Sequence, residues 1–264
     1  MYGESASDQR MYHKAINIIV ILFLITSSAM ASGDTKSLER LSWAFDGMTG
    51  KFDRESIQRG FKVYREVCSA CHSIKALSFR NLTEISFNED QVKSIASEYS
   101  VQDGPNDQGA MYMRPGRASD AMPGPYTNDK EARVANNGAL PPDLSLIVKA
   151  REGGADYIYG ILTGFTKPPA EVKLGENMYY NPHFSGGQIA MPPPLISNGQ
   201  VSYTDGTNPT VEQMAFDVVN FLQWIAEPEM EDRKRLGIRV LVFTIIFTIM
   251  FYFAKKVVWK RLKK

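Results

Sequence analysis

The chain has 264 residues, 22% of them charged and 44% hydrophobic, an ordinary globular composition with room for one large domain or two small ones. A formal net charge of +1 excludes the strongly basic balance of a nucleic-acid binder, and no nucleic-acid partner is expected. That near-neutrality hides a split. From Ser32 to Arg235 there are 27 acidic and 21 basic residues, a net −6, whereas the residues after Arg235 include seven Lys or Arg and no acid. An acidic body followed by a basic tail suggests a membrane protein with a charged partner.

In chain order, residues 1–14 are polar and carry Arg10 and Lys14, and Ala15 to Ile25 is apolar. Thr26-Ser-Ser-Ala-Met-Ala31 then ends in an Ala-x-Ala site. This is the pattern of an export signal cleaved after Ala31. The alternative, an N-terminal anchor, has too short a run to span comfortably. Residues 37–52 place Leu38, Leu41, Trp43, Phe45 and Met48 in a short amphipathic or irregular lead-in. Asp53 is positioned to cap a following helix, along which Ile57, Phe61, Tyr64 and Cys68 recur at near-helical spacing.

That helix delivers Cys68-Ser-Ala-Cys71-His72, the Cys-x-x-Cys-His attachment signature of c-type haem. Two thiols at this spacing add to the two porphyrin vinyl groups, and the adjacent histidine is held under the iron. A thioredoxin-like pair needs a βαβ surround and gives His72 no role. A structural zinc site needs four ligands, and Cys68 and Cys71 are the only cysteines. One covalently attached haem c is therefore expected, with Cys68, Cys71 and His72 as its binding residues and His72 as an iron ligand.

Residues 77–99 read as helical or mixed, with Asn88-Glu-Asp90 starting a helix. Asp103 to Thr127 is so rich in Gly and Pro that regular structure is not expected to persist. Its Met111, Met113 and Met122 read as core gap-fillers. Asp129–Ala135 is helical, Asn136 to Pro142 is a turn, and Asp143 or Ser145 is a candidate start for the next helix. Arg151 is a candidate partner for a haem propionate, and an exposed surface arginine fits its spacing equally well. A short helix follows at Asp156–Thr163.

The iron needs an account of its other face. Of the remaining histidines, His13 belongs to the expected signal, which leaves His183 or a methionine. Met191 is favoured, because Pro192-Pro-Pro194 stiffens the chain after it and Gly186-Gly187 precedes it. Its soft sulfur would raise the potential relative to a second histidine. An open sixth position, with His183 as the polar distal group, would instead describe a haem enzyme such as a peroxidase.

Thr210-Val-Glu-Gln213 fits a capping box opening a strongly apolar helix that ends at Pro228. Glu229 to Arg235 reads as a charged link. Val240 to Ala254 is uncharged, and residues 236–258 are long enough to cross a bilayer with snorkelling flanks. The basic cluster beyond it places the tail in the cytoplasm and the acidic body outside.

Taken together, Cys68–His72, Met111-Tyr-Met-Arg-Pro-Gly116, Ala135-Asn-Asn-Gly-Ala-Leu-Pro-Pro-Asp-Leu144 and Ala190-Met-Pro-Pro-Pro194 resemble the cytochrome c1 family. The order of haem body, Trp224-Ile-Ala-Glu-Pro228, Arg233-Lys-Arg-Leu-Gly237 and a single anchor is also similar to that family. The resemblance implies a mainly α fold, with a cytochrome c-like haem domain, long irregular loops and one C-terminal transmembrane helix. It implies Met191 as sixth ligand and Arg151 at a propionate. It also implies that electrons pass from a Rieske iron–sulfur protein, through this haem, to a soluble cytochrome c. Cytochrome b would be the membrane partner in a quinol:cytochrome c oxidoreductase (cytochrome bc1) complex, and the chain would be no enzyme by itself. The expected layout is a signal at residues 1–31, a periplasmic haem domain at 32–235, an inner-membrane anchor at 236–258 and a cytoplasmic tail at 259–264. His183 departs from the aromatic residue common at its position, and no extra cysteine pair is present. A free-standing anchored cytochrome feeding an oxidase is the nearer rival reading.

Overall fold

The computed structural model describes residues 37–262, so the expected signal at residues 1–31, with His13, lies outside the described residues. Its centre is a crossing of two helices, α1 (Arg54–Glu66) and α6 (Val211–Ala226). Asp53 caps α1 as expected, accepting from the backbone N–H groups of Glu55 and Ser56. Phe61 and Tyr64 of α1 meet Phe221 of α6, with ring centroids 5.4 and 5.8 Å apart. The close approach depends on Gly60, where a Cβ would stand 2.0 Å from the carbonyl oxygen of Asp217.

A buried carboxylate locks this crossing. Asp217 is fully buried and accepts from Ser56 Oγ (2.7 Å), Arg59 Nε (2.9 Å) and Gln213 Nε2 (3.1 Å). Burial works against the Arg59 charge, but Asp217 and Asp205 outweigh it and raise its pKa. The same network alters the expected capping box. Thr210 Oγ does accept from the Gln213 N–H, at 3.1 Å, but the Gln213 side chain turns forward to Asp217. A buried carboxylate is the stronger acceptor for that amide.

Between these helices come α2 (Glu89–Ser97), α3 (Asp129–Ala135), α4 (Ile147–Ala150) and α5 (Gly154–Thr163). Asn88 and Gln91 form a reciprocal cap at the start of α2. The Gly/Pro-rich stretch is more ordered than expected: β1 (Ser100–Asp103) pairs antiparallel with β2 (Tyr112–Pro115). Arg114 explains why, since it joins Asp103 on the opposing strand to Asp120 on the return loop. Met122 is core, only 3% exposed, but Met111 and Met113 are 54% and 60% exposed and fill no gap.

The lead-in is irregular yet packed, with the Trp43 ring stacked 4.7 Å from Phe216. The last element, α7 (Met230–Leu262), is one unbroken helix of 33 residues. Glu229 to Arg235 is thus no separate link, because its residues from Met230 onward form the first turns of the anchor. Tertiary contacts account for the early start. Met230 is buried, Glu231 accepts from Phe52 N (2.8 Å) and Arg54 Nη1 (3.0 Å), and Lys234 donates to the Phe45 carbonyl. From residue 236 to 260 every side chain is exposed, so the apolar surface is left for lipid or a partner.

Candidate haem site

Helix α1 ends at Glu66, and a single 3-10 turn, Cys68–Ala70, carries the chain to His72. The Cys68 carbonyl accepts from both Cys71 N (3.1 Å) and His72 N (2.9 Å), which makes this a tight turn. Cys68 and Cys71 are not joined in a disulfide. Burial, reinforced by Cys71, pushes the Cys68 thiol up to about 12. The nucleophilic thiol of a thiol–disulfide catalyst has a depressed value, so Cys68 is unlike one. No group of three or more His, Cys, Asp or Glu side chains converges as a metal cluster among the described residues.

The imidazole of His72 is fixed by a backbone group. Its Nδ1 lies 2.8 Å from the carbonyl oxygen of Pro142. A carbonyl only accepts, so the proton is on Nδ1 and the lone pair on Nε2. Burial lowers the His72 pKa, with the Pro142 bond acting the other way, and favours the neutral ring a metal needs. Tyr64 Oη donates to the His72 carbonyl at 2.9 Å, tying the ligand loop back to α1.

The Pro142 segment is itself anchored. Asp143 accepts from Ser73 Oγ (2.7 Å), Lys75 N (2.9 Å) and Ser145 N (2.9 Å), and Leu144 N donates to the Ser73 carbonyl (2.8 Å). Asp143 and Ser145 therefore do not cap a helix. They clasp the 140–145 turn to the loop after His72, and α4 starts later, at Ile147. No sequence signal marks Pro142, Tyr64 or Asp143 for these roles, because every residue has a carbonyl and the pairings span 8 to 70 residues.

Met191 is half-buried and held from both sides. Before it, β3 (Tyr179–Tyr180) pairs with β4 (Gln188–Ile189). The turn between them uses Gly186 and Gly187 at φ +78° and +69°, the reason for glycine there. After it, Gln200 donates to the Pro194 carbonyl (2.8 Å) and accepts from Ile196 N (2.9 Å), and Leu195 is buried.

His183 packs against α5 and its C-terminal end, its Cδ2 standing 2.5 Å from where a Cβ on Gly164 would be, and its Nδ1 is buried without a partner among the described residues. Arg151 ends α4, is exposed, and makes no ion pair among the described residues. Its charge acts on the Tyr157 hydroxyl, whose pKa burial raises and Arg151 opposes.

Comparison with known proteins identifies the family. The model of the Cytochrome C1 family matches residues 43–262. The chain belongs to the cytochrome c1 family. It is 42% identical to cytochrome c1 of Rhodospirillum rubrum, over 92% of this chain and 95% of that protein. It is 42% identical to the mitochondrial cytochrome c1 heme protein of Schizosaccharomyces pombe, over 94% of this chain and 82% of that one. It is 50% identical to cytochrome b/c1 of Bradyrhizobium diazoefficiens over 82% of this chain, but that match spans only 35% of the relative's length. Members of the family are haem proteins with a covalently attached c-type haem, and the chain is a membrane-anchored electron-transport protein of that kind. The mainly helical architecture with one long apolar C-terminal helix matches the expected fold class.

Proposed function

We propose that this chain relays electrons from a Rieske iron–sulfur protein to a soluble cytochrome c as the haem subunit of a quinol:cytochrome c oxidoreductase, with cytochrome b as its membrane partner. The haem supplies a one-electron iron couple. Cys68 and Cys71 would hold it covalently, His72 and Met191 would ligate its iron, and Arg151 would pair with a propionate. The observation that carries the reading is the His72–Pro142 hydrogen bond, at 2.8 Å, which presents Nε2 for ligation inside a family of haem proteins. Residues 1–31 act as the export signal, the body faces the periplasm, and the basic end of α7 remains in the cytoplasm, in keeping with the positive-inside rule.

A carrier of this kind does no acid–base chemistry, so the two ligand arms must keep the iron closed. The β3–β4 ladder and the Gln200 staple hold Met191 in place at little entropic cost. The test is mild-detergent purification followed by redox titration and exposure of the reduced protein to carbon monoxide. The relay predicts co-purification with cytochrome b and no carbon monoxide adduct. Rapid adduct formation would mark an open-site haem enzyme, and purification free of cytochrome b would mark a free-standing carrier.

A further inference from the structure

Where α7 leaves the body there is a cavity of about 590 Å³, within the usual ~300–1,000 Å³ range of small-molecule sites. We propose that it binds the headgroup of a zwitterionic phospholipid, a phosphate ester joined to a primary ammonium. Three observations converge on this.

The first is depth. Arg233 and Lys234 line the cavity two or three residues before Leu236 and six or seven before Val240, a rise of about 3–10 Å along the helix. The headgroup layer extends ~5–8 Å beyond the hydrocarbon core, so the cavity opens at headgroup level. The second is charge. Most charged groups in the lining are already used. Glu227 holds Lys149 and Arg233, Asp156 accepts from Leu41 N and Trp43 Nε1, and Lys234 donates to the Phe45 carbonyl. Arg40 and Asp46 have no side-chain partner among the described residues, and both are exposed. One spare cation and one spare anion at one cavity complement a ligand that carries both signs. The third is the lining itself, where the stacked, buried rings of Trp43 and Phe45 form a rigid apolar wall beside these charges. In this arrangement the Arg40 guanidinium receives the phosphate and the Asp46 carboxylate receives the ammonium.

The full-length holoprotein, with any subunits that accompany it, is placed in nanodiscs of phosphatidylcholine doped with either phosphatidylethanolamine or phosphatidylglycerol. Lipids retained on release are then identified by native mass spectrometry. One phosphatidylethanolamine is expected to be retained in preference to phosphatidylglycerol. Arg40→Gln and Asp46→Asn should each reduce that retention by about tenfold, the effect of losing one charge-assisted hydrogen bond. Asp46→Asn should also shift the preference toward phosphatidylglycerol. Equal retention in wild type and both variants, or no discrimination between the two lipids, would overturn the proposal. So would complete displacement by inorganic phosphate alone, which would make this a free-phosphate site. Unchanged haem spectra and thermal midpoints in the variants confirm that folding is not what changed.

Discussion

Met191 is where the residue scale bears most directly on the proposed relay. A thioether stabilises reduced iron more than an imidazole or an open position does. Met191→Leu should therefore lower the midpoint potential and abolish the thioether charge-transfer band, both read in a spectroelectrochemical titration. His183→Phe should leave the spectrum unchanged, because its ring is wedged against α5 at Gly160 and Gly164. An unaltered potential in Met191→Leu, with a changed spectrum in His183→Phe, would transfer the ligand role to His183. Asp120 makes a different kind of prediction. Arg114 donates to it at 2.6 and 3.0 Å and Arg117 N at 2.8 Å, and these donors lower its carboxyl from the ordinary 3.8 to about 2. A depressed folded-state pKa contributes stability that is present above the unfolded value and lost as pH falls through the folded one. Denaturant midpoints should thus decline between about pH 4 and pH 2. Asp120→Asn should flatten that part of the profile, and an unchanged slope would refute the role given to Arg114.

Among the elements, the α1–α6 crossing sets where the haem motif stands. Gly60 has no room for a methyl group: the point a Cβ would occupy is 2.6 Å from the Asp217 carbonyl carbon and 2.8 Å from Phe221 Cβ. Gly60→Ala should cost about 3 kcal/mol through forced separation of the helices. The measurement is a denaturant titration of the holoprotein, and a loss under 1 kcal/mol, within about the range of ordinary surface changes, would mean the helices yield easily. Asp217 had no sequence signal: within an apolar stripe it reads as a solvent-facing position. Its burial follows from Ser56, Arg59 and Gln213 converging from two helices, which no periodicity count reveals. The β1–β2 ladder was hidden for a related reason, since Arg114 joins groups on three separate segments across a Gly/Pro-rich stretch.

For the whole molecule, the decisive quantities are charge and anchoring. The body between Ser32 and Arg235 carries a net −6, before any haem propionates are counted. A basic soluble cytochrome should be steered to it, and a complex that must dissociate every turnover needs only a small, wet contact. The second-order rate with such a partner should fall by roughly tenfold between low salt and physiological ionic strength. Stopped-flow rates that stay flat or rise from low ionic strength would rule out electrostatic steering. Because α7 is continuous and its first turns are bonded to Phe52, Arg54 and Phe45, the haem domain is mounted on its anchor rather than tethered by a loop.

Features written in local chemistry were legible from the chain alone. The Cys-x-x-Cys-His spacing, the Asp53 and Asn88 caps and the uncharged run from Val240 to Ala254 depend on residues close in sequence, so pattern and propensity determine them. The family could be recognised from motifs for the same reason. What only the tertiary structure decided were the long-range partnerships. They include Pro142 orienting His72, Asp143 clasping two loops, Gln213 leaving its cap for Asp217, and α7 beginning at Met230. Each is a choice among competing acceptors or packing surfaces. The winner is set by burial and proximity between distant segments, which exist only once the chain has folded.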